Sequence, residues 1–148
     1  MFSILHRVGI KSSTHGVYGA LTTLPGLAAW WTTDTRGSTA AGEVIEFVFG
    51  TRGYMKMKVI ELDADRRVVW QVVDGPLDWL GSTIGFDLKQ EGEQTTLLFK
   101  HAGWKEQSEF MHHCSTKWAS FLLSLKASVE SGKGLPFPED VRISLNWD

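Results

Sequence analysis

Few side chains in this sequence are typed and spaced for chemistry, and the histidines come first. His101 and His6 each fall on the apolar side of an alternating stretch, so each imidazole is expected to point inward. A buried imidazole must find hydrogen bonds. It can serve as a polar handle or a general acid–base, or it can be a structural histidine bonded to backbone. Glu61 and Asp74 are the carboxylates that could join them. Catalysis would need at least two of these four groups to converge. The run Glu109-x-x-His112-His113-Cys114 has a loose likeness to metal-ligand spacing. Adjacent histidines on a helix point about 100° apart, however, and no second cluster supplies further ligands. No metal and no cofactor are expected. Cys114 falls on an apolar helical stripe, where a thiol behaves as a small hydrophobe, and nothing beside it in sequence marks a depressed pKa. The sequence has no phosphate-binding glycine loop, zinc-protease helix or nucleophile elbow. Enzymatic activity is therefore open, with the balance against it.

The second group of candidates is aromatic. Seven tryptophans occur in 148 residues, and rings of this size, burying about 150–250 Å² each, mark cores, interfaces or ligand cavities. Trp30 and Trp31 are expected at the rim of a pocket. Phe47, Met57, Trp70, Phe86 and Phe99 fall on the inward face of strands, together with His101. With Trp104, Cys114 and Trp118 they make up the candidate ligand-binding wall. Plain core packing is the competing reading for each. Met55 and Met57 would suit a loosely selective pocket, because methionine adapts to varied shapes.

Elements must position these side chains, and hydrophobic periodicity supplies them. Residues 2–10 alternate, with Phe2, Ile4, His6 and Val8 on one side, as in a strand. Ser12-Ser13-Thr14 can cap a short helix containing Val17, Tyr18, Ala20 and Leu21. Pro25 suits the first turn of a second one over residues 25–31. The polar run 32–41 reads as a loop. Five alternating segments follow, at about 43–49, 54–62, 67–73, 82–89 and 95–102, separated by short Gly- and Asp-containing turns. Short connections imply an antiparallel meander. From about 106 to 130, Phe110, Met111, Cys114, Trp118, Phe121, Leu122, Leu125 and Val129 recur at spacings of three and four. This is the apolar stripe of one long amphipathic helix, stopped by Gly132, Gly134 and Pro136. The pattern predicts an α+β domain over residues 1–136: a curved antiparallel sheet of about six strands wrapped around the C-terminal helix, with two short helices as a lid. Residues 137–148 are a tail, read as either an extra strand or a docked arm.

Composition narrows the setting. Hydrophobic residues make up 43% and charged residues 22%, which is ordinary for a globular domain. The formal net charge of −2, with no basic stripe, argues against nucleic acid as a partner. One cysteine excludes an internal disulfide and fits a cytoplasmic setting. The N-terminus lacks the apolar core of a signal peptide, and no window reaches the ~20 apolar residues of a membrane span.

Several runs carry a family resemblance. Ala20-Leu21-Thr22-Thr23-Leu24-Pro25-Gly26-Leu27 and Ala29-Trp30-Trp31-Thr32 are similar to the lid region of the START-like (SRPBCC) helix-grip superfamily. His101-Ala102-Gly103-Trp104, Cys114-Ser115-Thr116-Lys117-Trp118 and Phe121-Leu122-Leu123-Ser124-Leu125-Lys126 extend the likeness to about Pro136. The chain most resembles the branch named after the activator of the 90-kDa heat-shock protein ATPase. That resemblance implies the helix-grip fold and an internal cavity in a protein of bacterial type. It does not imply chaperone activity, since the branch consists mostly of proteins without an assigned function and the superfamily includes lipid carriers, hormone receptors and cyclases. Three readings follow. The first is a binding protein for a small apolar or aromatic molecule. The second is a cyclase- or hydrolase-like enzyme using the same cavity. The third is a co-chaperone-like interaction module, which would need an exposed patch. A homodimer, through the tail, is compatible with all three.

Overall fold

In the computed structural model, residues 1–147 are described, and Asp148 lies outside the described residues. Seven strands form one antiparallel sheet in the order β1-β7-β6-β5-β4-β3-β2. They are β1 (Phe2–Ile10), β2 (Asp34–Gly37), β3 (Val44–Val48), β4 (Tyr54–Asp63), β5 (Arg67–Asp74), β6 (Thr83–Glu91) and β7 (Gln94–Trp104). Alternating burial along β3, β5, β6 and β7 leaves one apolar face. Register shifts on β4, at Lys56/Met57 and Val59/Glu61, bend the sheet. The first strand pairs with the last, Ile4 opposite His101 and His6 opposite Phe99. Across the apolar face lies α3 (Glu109–Ser131). Ser108 caps its first turn by accepting from the Met111 N–H at 3.2 Å. Gly132, at φ 81°, closes its end in the left-handed conformation. The architecture is the α+β helix-grip arrangement.

β2 lies inside the stretch that reads as a loop. It pairs with β3 at the sheet edge, and its Asp34, Thr35 and Arg36 are half-buried or exposed. With no buried face, the strand carries no apolar alternation, so periodicity cannot reveal it. The two short helices are α1 (Thr14–Thr22), capped by Ser13, and α2 (Leu24–Ala28), capped by Thr23. The second ends sooner than its composition suggests, and Trp30 and Trp31 follow it in a turn.

Hydrogen bonds from Lys11 N–H to Glu130 and from Lys126 Nζ to Gly9 O tie the chain entering α1 to the last turns of α3. The short helices therefore cover the end of the sheet nearest the C-terminus of α3. After α3 the chain turns back at Gly134, where a Cβ would stand 2.5 Å from Ala29 O. The Phe137 N–H donates to Trp31 O at 2.8 Å, and the Thr33 N–H donates to Phe137 O at 3.2 Å. Residues 138–147 then cross the N-terminal half of α3 as a docked arm without strand pairing.

Candidate functional site

The interior has two ends that differ in how they are filled. Beneath the short helices the inward aromatics pack on one another. Trp31 stacks on Trp30 (ring centroids 5.8 Å, planes 8° apart) and on Trp70 (6.1 Å, 4°). Phe47 meets Trp31 at 4.3 Å, and Phe86 contacts Trp70 at 5.1 Å and Phe99 at 5.4 Å. Trp30, Trp70, Phe47, Phe86 and Met57 are wholly buried, and Phe99 is 1% exposed. These rings occupy the volume between sheet and helix, so Trp30, Phe47, Met57, Trp70, Phe86 and Phe99 lie in packed core and do not border open space. Trp30 is not at a rim: its indole N–H donates to Ala20 O at 3.0 Å beneath the short helices.

The other end holds a cavity of about 430 Å³. Three loops, the start of β4 and one helix face surround it: the β3–β4 turn (Phe49, Arg52) with Tyr54 and Met55 of β4, the β5–β6 connection (Gly75, Pro76, Trp79), α3 (Phe110, His113, Cys114, Lys117, Trp118, Phe121) and the arm (Asp140, Trp147). Trp31 forms its floor, 4.9 Å from Trp118. Of the eleven candidates named from sequence, Trp31, Cys114 and Trp118 border this space. The spacing 110, 114, 117, 118, 121 places five α3 side chains on one face, and Phe110 and Phe121 could have been added on that ground. Phe49 alternates with Ile45 and Phe47 and could have been added on the same ground, whereas Trp79, Asp140 and Trp147 stand outside the alternating strands and the α3 stripe, where no period marks direction.

His101 lies behind this wall. The Trp118 indole N–H donates to its Nδ1 at 3.1 Å. Ser82 Oγ lies 2.8 Å from its Nε2 and donates its own hydrogen to Trp79 O at 2.5 Å. The Ser82 proton is thus committed, so the His101 Nε2–H donates to Ser82 Oγ and the ring is neutral. Burial agrees, pushing the His101 pKa down to about 3. Both ring nitrogens are engaged, and what they orient are Trp118 and Trp79, two rings of the cavity wall. Trp104 packs on His101 at 5.1 Å and on Phe110 at 6.1 Å, also outside the cavity.

The groups that could have supplied chemistry do not converge. His6 donates to Ser115 O at 3.0 Å, 109 residues along the chain. Glu61 faces Arg67, and Asp74 accepts from the Tyr54 hydroxyl at 3.0 Å on the surface. His112 donates to Ser108 O, whereas His113 faces the cavity. No group of three or more potential metal ligands occurs among the described residues. Burial raises the Cys114 thiol to about 12, the nearby Trp79 indole only partly offsetting it. Trp79 Nε1 is itself buried, and among the described residues no oxygen or nitrogen accepts from it.

The polar groups of the cavity include Arg52, His113 and a close ion pair. Lys117 Nζ stands 2.6 Å from Asp140 Oδ2, with side chains 16% and 3% exposed. Lys117 also donates to Val141 O at 2.6 Å and lies 5.3 Å from the centre of the Phe121 ring. Trp147 covers the outer side, edge-on to Phe110 at 5.8 Å and to His113 at 5.2 Å.

A curved sheet gripping a C-terminal helix, with an aromatic cavity at the N-terminal half of that helix, defines a helix-grip protein of the START-like class. The family described as activator of Hsp90 ATPase homolog 1-like protein matches residues 11–130, and the chain belongs to that family. Its fold is close to that of the Aha1 dimer from Colwellia psychrerythraea, known in solution: 45% identity over 90% of this chain and 100% of that one, with a TM-score of 0.83. Protein MLL2253 from Mesorhizobium loti (16% identity, 84% and 94% of the chains, TM-score 0.74) shares the fold. So does DynU16 of the dynemicin biosynthetic locus (20%, 89% and 48%, 0.72). None of the curated proteins matches the chain. No helix among the described residues is long and apolar enough to cross a membrane.

Proposed function

We propose that this protein binds a small apolar or aromatic molecule in the cavity between α3, the β3–β4 turn and the β5–β6 connection. The observation that carries this reading is the wall itself: Trp31, Phe49, Trp79, Phe110, Trp118 and Phe121 leave about 430 Å³ among them. Ligand sites of this kind are concave, mostly apolar and about 300–1,000 Å³ in size, with a few polar groups that fix orientation. Holding suits the site better than transforming, because His101 is tied into the wall and His6, Glu61 and Asp74 lie apart. A thermal-shift screen with fatty acids, sterols and polyketide-like aromatics tests it. At least one class should raise the melting temperature and quench tryptophan fluorescence. No shift from any class, with the protein folded, would count against the reading.

The relative from Colwellia psychrerythraea is described as a dimer, and we propose the same state for this chain. Light scattering after size exclusion should give twice the 16.5 kDa chain mass; a mass of one chain at all concentrations excludes it.

A further inference from the structure

The arm supplies the cavity with one carboxylate and one aromatic ring, and both lie beyond residue 130, where the family match ends. Set the arm aside, and the charged side chains bordering the cavity are Arg52 and Lys117, with His113 beside them. Asp78 stands outside, at the mouth. A lysine at an apolar wall demands an anion, since an unpaired buried charge is costly. Among the described residues, Asp140 is a carboxylate that meets this demand. Apolar burial does little to hold the arm in place: Val141, Leu145 and Trp147 remain 49%, 109% and 44% exposed.

Resting on the binding function proposed above, we infer that the cavity takes a carboxylic acid with an apolar or aromatic body, and that the arm imitates it. Asp140 occupies the position of the ligand's carboxylate at Lys117. Trp147 occupies the position of a ring against Phe110 and His113. Arm and acid compete, so the arm sets a threshold of concentration or affinity for entry. A neutral ligand lacks the means to replace Asp140 at Lys117 and gains nothing from its removal.

The test uses the full chain and two matched probes, naphthalene-1-acetate and naphthalene-1-acetamide, titrated calorimetrically. In Asp140→Asn the acid should bind at least about tenfold tighter than in the parent protein, the size of one charge-assisted hydrogen bond, while the amide changes little. The double variant Asp140→Ala/Trp147→Ala should show the same acid preference, and adding Lys117→Gln should abolish it. Circular dichroism and melting curves establish that each variant is folded. If the acid-to-amide ratio is the same in the parent and in both folded Asp140 variants, the imitation is wrong although the cavity still binds. If neither probe binds any variant, this inference and the binding function fall together.

Discussion

The two ends of the interior are built from the same kind of side chain and end up in opposite states. At the end under α1 and α2, Trp30, Trp70, Phe86 and Phe99 reach one another from a turn and from strands and are at most 1% exposed, with Trp31 between them and the cavity. At the other end, Phe49, Trp79, Phe110, Trp118 and Phe121 make fewer mutual contacts, Trp79 stacking on Trp118 and Phe49 meeting Phe121, and each also borders open volume. Aromatic content therefore does not decide between core and cavity. What differs is the cover. The first end is sealed by helices whose buried Val17, Leu21 and Leu27 add apolar volume. The second is closed by loops and an arm that contributes one ring and one ion pair.

Removing one ring from each end should separate the two most. Trp70→Ala should cost about 3–5 kcal/mol, because the void left among Trp31, Phe47 and Phe86 cannot collapse. Trp147→Ala should cost less than about 1 kcal/mol, as expected for a ring 44% exposed with no core above it. Urea denaturation of the two variants checks both. Equal losses would mean that the arm is structural in the same sense as the core.

His101 joins the ends, and its replacement has the next largest effect. In His101→Gln, the chain from Trp118 through the imidazole to Ser82 and the Trp79 carbonyl should lose about 1–3 kcal/mol at neutral pH, as buried polar groups lose partners. The parent protein also has a pH signature at this residue. The folded imidazole stays neutral down to about 3, whereas the unfolded one takes up a proton near 6.5. Between those values protonation favours the unfolded chain, so stability falls as pH falls, by at most about 1.4 kcal/mol per pH unit. Denaturation at pH 7, 5.5 and 4 should show that slope in the parent and a shallower one in His101→Gln. Parallel slopes would place the acid sensitivity elsewhere.

Why this division was partly legible in the chain follows from what periodicity encodes. Alternation reports the direction of a side chain, and it placed β1 and β3 to β7, while the spacing of three and four located α3. Ser13 and Gly132 mark helix ends by the chemistry of caps. Direction is not free volume. Phe86 and Phe121 both point inward, but Phe86 is enclosed by Trp30, Trp70 and Phe99 while Phe121 meets Trp31 and Phe49 and still borders open space, and that depends on rings brought together from distant residues. β2 escaped because an edge strand without a buried face has no alternation to show. Asp140 and Trp147 escaped because the arm lies on α3 in irregular backbone, so no period marks which of its side chains turn inward.

The smallest effect falls at Cys114, which borders the cavity and is 5% exposed. Its thiol is raised from the ordinary 9.0 to about 12 by burial, so at a given pH thiolates are about a thousandfold rarer than in an exposed cysteine. Iodoacetamide should label the native protein at pH 8 far more slowly than the urea-unfolded chain. If the arm is the cover of this end, Asp140→Ala/Trp147→Ala should label a few-fold faster than the parent, while its urea midpoint falls by less than that of Trp70→Ala, the loss coming from the Lys117 charge left without its carboxylate. Trp70→Ala should do the reverse at the core end: a large loss of midpoint, with native labelling changed only as far as global unfolding permits. A double variant that labels at the parent rate would mean that the loops, and not the arm, keep solvent from the thiol, and that the two ends are sealed more alike than their packing suggests.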